Sequence, residues 1–323
     1  MYKRQVNYGL FSGCTSLKSV EIQGNWDAIP DYTFYNCTAL ETVQFPASVT
    51  AVGDQAFQKC SALQTVDLSN IETIGEQAFR QSGISDVGSL DRLQSMGQMA
   101  FAICTNLTSI VLPEGVTSIE KSTFNGCTGL DLLVLPSTIT NIGSSALALG
   151  SSSDCNLVMN SVALSDVNAK AFGSSGKPES LTVYYPAEAQ KAYETAGLID
   201  EGDTNGYALS LTDSSMALAS GENSSTLTLK ATVPTGMTLV TTSSNTAVAT
   251  ADGATITGVT EGTATITAQL KVGEYVVLED SCTVTVTAEG AVIPTVEEPE
   301  TSVSDSITCL LYTSPSPRDR QKS

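Results

Sequence analysis

Phe101-Ala-Ile-Cys104-Thr-Asn-Leu107-Thr-Ser-Ile110-Val-Leu112-Pro113-Glu-Gly-Val116-Thr-Ser-Ile119-Glu-Lys-Ser-Thr-Phe124-Asn-Gly-Cys127 is one full period of a repeat, because the Phe-x-x-Cys pair that opens it also closes it. The frame recurs at Phe11/Cys14, Phe34/Cys37, Phe57/Cys60, Phe79 (with Gly83 near the Cys place), Phe101/Cys104 and Phe124/Cys127, so successive Phe positions lie 22 or 23 residues apart. A period in the twenties with fixed apolar positions predicts a solenoid, whose units are each too small to bury their apolar face alone. Stacking the units makes the core.

Within the period, Leu107-x-x-Ile110-x-Leu112 is a short strand of alternating apolar residues, and Pro113 ends it by removing a ladder donor. Val116-x-x-Ile119 returns the chain inward, and the segment from Ser122 to Cys127 reads as a tight helical turn on the opposite side. Coils one to six are named here by their Phe, from Phe11 to Phe124.

The frame F-x-x-C-x-x-L-x-x-V-x-L-P-x-x-V-x-x-I, in six near-regular copies, resembles leucine-rich repeats of the BspA-like type, found in bacterial and some protozoan surface proteins. The resemblance covers residues 6–199. It implies a parallel-sheet solenoid, an extracellular place on a bacterial cell surface, and adhesion to host matrix proteins or to other bacteria.

The spacing of Cys14, Cys37, Cys60, Cys104 and Cys127 equals the repeat period. That places them one above another, about 4.8 Å apart if the units stack like neighbouring strands. Small buried thiols behaving as compact hydrophobes are the expected outcome. With the phenylalanines at 11, 34, 57, 101 and 124 they form the expected repeat core. Distance alone does not forbid a bridge between neighbours. No C-x-x-C occurs, so zinc is not supported. Cys155 and Cys282 have no evident partner.

Residues 1–5 and 309–323 (ending Thr-Ser-Pro-Ser-Pro-Arg-Asp-Arg before Gln321) resemble translated sequencing adapter, so residues 6–308 are expected to be an internal piece of a longer protein. Setting the ends aside removes five basic residues and one acidic residue, which makes the remainder more acidic than the net charge of −19 for the full chain. A phosphate-binding surface needs clustered Lys and Arg, so nucleic acid is excluded as a partner and an anionic membrane surface is disfavoured. No run of eighteen apolar residues exists to span a membrane. Histidine is absent, which removes Ser-His-Asp and Cys-His catalysis and the commonest transition-metal ligand.

In coil one, Leu17-x-x-Val20-x-Ile22 is followed by Trp26, expected to pack at the core or its rim. Coils two and three give Leu40-x-x-Val43-x-Phe45-Pro46 and Leu63-x-x-Val66-x-Leu68; coil four is less regular. After coil six, Leu147 replaces the expected Phe, Gly150 to Asp154 is an insertion, and Leu157-Val-Met159 belongs to a degraded coil. Phe172 and Leu181-Thr-Val183-Tyr-Tyr185-Pro186 make the last turn, and Ala187 to Gly197 reads as a short helix stopped by glycine. Atypical terminal units close a solenoid's exposed end.

Residues 200–206 read as a linker. From 207 to 288 the pattern changes to period-two strands rich in Thr and Val, which argues for an antiparallel sandwich. The run from Ser243 to Ile266 resembles the second group of bacterial Ig-like domains, with Val240-Thr-Thr where that family usually has Trp. Residues 289–308, acidic and rich in Pro, Thr and Ser, read as a disordered linker. The fold class is therefore mainly β: a leucine-rich-repeat solenoid of parallel sheet with short helical turns, followed by an Ig-like antiparallel β-sandwich.

In each strand the residues between the buried positions face outward on the sheet side. Coils one to three put Ser19/Glu21, Thr42/Gln44 and Thr65/Asp67 there, coil five Ser109/Val111, coil six Leu132/Val134, and the last coil Thr182/Tyr184. The face passes from polar and acidic to apolar. Val111, Leu132, Val134 and Tyr184 are the candidate contact patch, with Glu21, Gln44 and Asp67 at its polar end, since a contiguous exposed apolar area marks an interface. No catalytic site is expected. Glu297/Glu298 lie in the linker, and Glu21 and Asp67 are scattered on an open sheet with no pocket to raise a pKa. The Asn-x-Ser/Thr matches at Asn36, Asn106 and Asn223 read as chance. Asp200-Glu-Gly-Asp203 lacks the EF-hand spacing for calcium.

These observations point to a non-catalytic, monomeric bacterial cell-surface module without cofactor or metal, whose repeat sheet binds a host matrix or bacterial surface protein while the Ig-like domain acts as spacer. The alternatives are an accessory or spacer region of a larger secreted enzyme, such as a polysaccharide hydrolase, and a passive stalk.

Overall fold

The computed structural model describes residues 9–150, 154–211, 215–219, 224–226 and 229–287. The expected adapter-derived ends, the 289–308 linker with Glu297 and Glu298, and Asn223 all lie outside the described residues. The chain folds as two compact units, one ending at Tyr207 and the other beginning at Ala208.

The first unit is the solenoid. Ser19–Glu21 pairs in parallel with Thr42–Gln44, and Thr65 forms a parallel bridge with Asp86. Ser109–Val111, Leu132–Leu135, Asn156–Met159 and Thr182–Pro186 then continue as a parallel ladder. The register stacks equivalent residues, so Val43, Ile110, Leu133, Leu157 and Val183 all point inward, each at most 7% exposed. A second column of two-residue parallel strands runs through Ala28–Ile29, Ala51–Val52, Thr73–Ile74 and Ser95–Met96, and again through Ser118–Ile119, Asn141–Ile142 and Asp166–Val167. Close coil stacking demands glycine in the bend after this column: a Cβ on Gly75 would lie 2.6 Å from the Asp54 backbone nitrogen.

The Phe-x-x-Cys segments form the third side. Within coil two, Tyr35 and Cys37 donate their N–H groups to the carbonyls of Tyr32 and Phe34, closing turns three residues long. Tyr32, Phe34 and Asn36 instead donate forward to Asp54, Ala56 and Gln58 of coil three at 2.8–2.9 Å. Alternate amides thus serve the turn and the next coil. The left-handed backbone at Tyr32 (φ 59) and Asn36 (φ 58) keeps the turn from propagating as helix. The same positions are left-handed in the following coils, at Gln55, Lys59, Gln77, Gln81, Met99 and Ile103.

Behind these turns the rings of Phe11, Phe34, Phe57, Phe79, Phe101 and Phe124 stack with centroids 5.2–6.0 Å apart and planes within 17° of parallel. Phe34, Phe57, Phe101 and Phe124 are fully buried, as are Cys37, Cys60, Cys104 and Cys127. Phe11 and Cys14, expected in the core, depart from it: Phe11 is half-buried and Cys14 exposed. Among the described residues coil one has a neighbour on one side only, so its ring and thiol lack a second covering layer. In coil four the Cys place is taken by Ser82 rather than Gly83; Ser82 is buried and its Oγ lies 3.5 Å from the Cys104 Sγ.

Leu147 is buried at the Phe place and its N–H donates to Ala171, one residue before Phe172, so the degraded coils keep the frame. Trp26 is partly buried against the core. The chain leaves Thr182–Pro186 through a 3-10 turn, Ala187–Ala189, and the helix Gln190–Thr195, with Gly197 left-handed at φ 69. Tyr193 packs 5.5 Å from the Tyr185 ring and donates to the Ser161 carbonyl at 2.7 Å. Gly206 and Tyr207 pair in parallel with Tyr185 and Pro186.

The second unit is built largely on the hairpin of Gly262–Val272 and Tyr275–Thr287, turned at Gly273 (φ 56). Ala264, Ile266, Ala268 and Leu270 alternate inward along the first of these strands, the period-two pattern of a half-buried sheet. Thr238–Ser243 adds on one side antiparallel, and Ser215–Ala219 on the other in parallel. Ser224–Thr226, Thr255–Gly258 and Ala249–Asp252 form an antiparallel trio, and 208–211 pairs antiparallel with Leu229–Thr232. The core joins Val248, Ala249, Ile256, Ile266, Cys282, Val284 and Val286.

Candidate functional site: the outer face of the solenoid sheet

Between the inward residues of each strand stand those that point away from the core. Parallel register sets Glu21 beside Gln44, and Val111, Val134, Val158 and Tyr184 side by side in one row. Ser109, Leu132, Asn156 and Thr182 form the adjacent row. The expected contact residues are therefore brought onto one face by the repeat itself. Val158 belongs to the row and was not among them; its signal was Leu157-Val-Met159, three consecutive apolar residues of which a strand can turn only alternate ones inward.

Exposure divides the face in two. Glu21, Gln44, Asp67, Ser109 and Val111 are exposed, Val111 at 41%. Leu132 is half-buried, whereas Val134 and Tyr184 are 1% and 2% exposed, and Val158 is fully buried. The expectation of exposure is thus corrected for Val134 and Tyr184. Side chains on neighbouring strands stand about 4.8 Å apart and cover one another's flanks; Val134 sits between Val111 and Val158, and Val158 between Val134 and Tyr184. Burial also pushes the Tyr184 hydroxyl pKa up. The accessible apolar step on the face is Val111 with the edge of Leu132.

At the polar end, Gln44 and Asp67 border an open groove of about 430 Å³, with Phe45, Pro46, Asn70 and Ile71 on its walls. The Asp67 carboxylate accepts the Ser69 N–H at 2.9 Å, which holds its head at the rim. Such a face offers hydrogen-bonding and apolar contacts but no enclosure to desolvate a reacting group.

The thiols are placed as structural donors. Cys37, Cys60, Cys104 and Cys127 donate to the carbonyls of Phe11, Phe34, Phe79 and Phe101 at 3.0–3.1 Å. Burial drives the Cys60 and Cys104 pKa values up to about 12 and that of Cys127 well above its usual range. Since the thiolate is the nucleophile, these groups are chemically quiet near neutral pH. No disulfide joins any of the seven cysteines among the described residues, Cys155 and Cys282 included. No group of three or more His, Cys, Asp or Glu that could hold a metal occurs among the described residues. Nor is any helix among them long and apolar enough to cross a membrane.

Comparison with known proteins gives one family match and several structural likenesses. A family described as "BspA type Leucine rich repeat region" matches in six copies over residues 3–106 and 72–191, more than half of the chain. No curated protein sequence matches. Among solved structures, a leucine-rich repeat protein from Bacteroides ovatus is 22% identical over 55% of this chain and 54% of its own, with a TM-score of 0.42. The chain thus spans about half the length of that protein. A T. pallidum leucine-rich repeat protein is 26% identical over 45% of this chain and 69% of its own, with a TM-score of 0.42. A leucine-rich cell surface protein from Faecalibacterium prausnitzii is 19% identical over 57% and 64%, with a TM-score of 0.31.

Proposed function

We propose, from the premise that this chain belongs to the BspA-type leucine-rich-repeat family, that it is a non-catalytic protein-binding module of a bacterial cell-surface protein, with the sheet face of the solenoid as its contact surface. The observation that carries this reading is the exposed run of Glu21, Gln44, Asp67 and Val111 on one sheet face. An open face of this kind suits a protein partner, because small-molecule sites enclose most of their ligand and solenoids present extended surfaces to macromolecules. The acidic half of the face and the net charge of −19 favour a partner with a basic patch. The second unit, with its alternating antiparallel strands, serves in this reading as an Ig-like spacer.

The experiment is saturable binding of the whole chain to immobilised extracellular-matrix proteins and to bacterial cells, repeated from low to high salt. Binding to at least one protein surface that weakens as salt rises supports the reading. Absence of saturable binding to every protein and cell surface at low salt contradicts it.

A further inference from the structure

The turn side of the solenoid, which carries the Phe-x-x-Cys segments, plays no part in the sheet-face reading. Its two left-handed positions, two residues before and two after each Phe, accept glycine. Gly9 and Gly13 flank Phe11, and Gly126 follows Phe124, at φ 66, 75 and 74. Coils two to four place longer side chains at those positions: Tyr32, Asn36, Gln55, Lys59, Gln77 and Gln81, at φ 55–63. A left-handed backbone disfavours any residue with a Cβ. Coils five and six carry the same cost at Met99, Ile103 and Ser122, so what sets coils two to four apart is the long polar and aromatic side chains they hold at these positions.

The side chains form an ordered array. The Gln55 amide donates to the Tyr32 hydroxyl at 2.8 Å, and the Gln58 amide donates to Gln77 Oε1 at 3.0 Å, while Gln77 donates to Glu76 at 3.0 Å. The Tyr32 and Tyr35 rings lie 6.0 Å apart and inclined at 58°. The Lys59 ammonium stands 5.6 Å from the Tyr35 ring centroid and 3.5 Å from its hydroxyl. Tyr32, Tyr35, Gln55, Lys59, Gln77 and Gln81 all remain partly exposed. None of the six is a carboxylate, although acidic residues outnumber basic ones 34 to 15 in the chain.

Aromatic faces beside primary amides match the chemistry of a sugar ring. Its C–H faces lie on aromatic rings, and its hydroxyls pair with groups that both donate and accept, as Gln does. The coils repeat at 5.2–5.3 Å between the Phe34, Phe57 and Phe79 rings, close to the length of one pyranose unit, so successive coils can meet successive sugars. Lys59 is engaged by Tyr35, and the two cations of these turns, Lys59 and Arg80, are matched by the exposed carboxylates Asp54 and Glu76, so no unbalanced positive charge calls for an acidic sugar. We propose that the turn face of coils two to four, from Tyr32 to Gln81, binds a neutral polysaccharide chain lying along the solenoid axis.

The test is native affinity electrophoresis of the whole chain in gels containing hydroxyethylcellulose, galactomannan or arabinoxylan, with polygalacturonate as the acidic comparison. The expected result is retardation in at least one neutral gel, lost in Tyr35→Ala and in the Gln55→Gly/Gln81→Gly double variant. Glycine takes up both left-handed backbones without strain, so that double variant should melt no lower than the parent. Val111→Asp, on the sheet face, should leave retardation unchanged, which separates this site from the protein-binding reading. Migration unaltered in all three neutral gels, retardation in polygalacturonate alone, or full retardation of the double glycine variant would overturn the proposal.

Discussion

The Cys104 thiol donates to the Phe79 carbonyl oxygen at 3.0 Å, joining the side chain of one coil to the backbone of the coil before it. Cys60 and Cys127 make the same bond to Phe34 and Phe101. The repeat position therefore asks for a small apolar side chain that can still donate a hydrogen bond, which Cys supplies and Ala does not. Cys104→Ala should cost about 1–3 kcal/mol through lost packing and a weakened carbonyl contact. Cys104→Ser should cost less, because its hydroxyl can donate as Ser82 can at the same place in coil four. Equal loss in the two variants, measured by urea unfolding, would show that the bond contributes nothing.

The same thiols set a pH dependence. Burial raises the folded-state pKa of Cys60, Cys104 and Cys155 from 9.0 to about 12. In the unfolded chain they ionise near 9, so above that pH the unfolded state binds fewer protons than the folded one. Stability from these groups is fully present below pH 9 and is lost as pH rises from about 9 to about 12, at about 1.4 kcal/mol per pH unit per thiol. Melting temperatures at pH 7, 9 and 10.5 should show the decline. It should be shallower in a Cys60→Ser/Cys104→Ser variant; an unchanged slope would assign it to other groups.

Phe101 lies between the rings of Phe79 and Phe124 and is fully buried. Phe101→Ala should cost about 3–5 kcal/mol, with Phe11→Ala, half-buried at the first described coil, costing less. Chemical denaturation of the two variants measures the difference. Equal losses would contradict the ladder as the main source of cohesion on that side.

Ile103 is β-branched, left-handed at φ 61, and 37% exposed. Replacement by Gly should be neutral or stabilising, by up to about 1 kcal/mol, since the relief of left-handed strain exceeds the entropy glycine adds to the unfolded chain. Differential scanning calorimetry decides it. A large loss would mean that the exposed Ile side chain contributes packing that outweighs the strain.

How much of this was legible in the sequence depends on how local each feature is. The Phe-x-x-Cys frame, with Leu107, Ile110 and Leu112 in one period, encoded the solenoid because stacking repeats one set of contacts at every coil. Leu147 and Phe172 could be placed in the degraded coils for the same reason. Alternation says which side of the strand a residue faces but not how far its neighbours in the row shield it, so Val134 and Tyr184 read as exposed, and the structure buries both. Ser82 was missed because the apolar cysteine pattern hid what Ser and Cys share, a small hydrogen-bonding side chain. The left-handed residues were illegible for a related reason: Tyr32 and Lys59 are poor left-handed formers, and only the ladder from coil to coil holds them there. In the second unit the period-two alternation was legible but the pairing was not: Ser215–Ala219 lies in parallel beside Tyr275–Thr287, far along the chain.

The exposure boundary on the sheet face also decides which variants test binding. Val134→Asp places a charge at a fully buried position and should lower stability by several kcal/mol, so loss of binding in it says nothing about contact. Val111→Asp with Gln44→Ala alters exposed residues only and should leave the melting temperature within about 2 °C of the parent, as surface substitutions do.

The most direct measurement is the affinity of that Val111→Asp/Gln44→Ala variant for the protein partner bound by the parent chain, taken beside Ile103→Asp on the turn side as a control. The account predicts at least a tenfold weaker Kd for the sheet-face variant and an unchanged Kd for the control. Parent-like affinity in a folded sheet-face variant would contradict the assignment of the outer sheet as the contact surface.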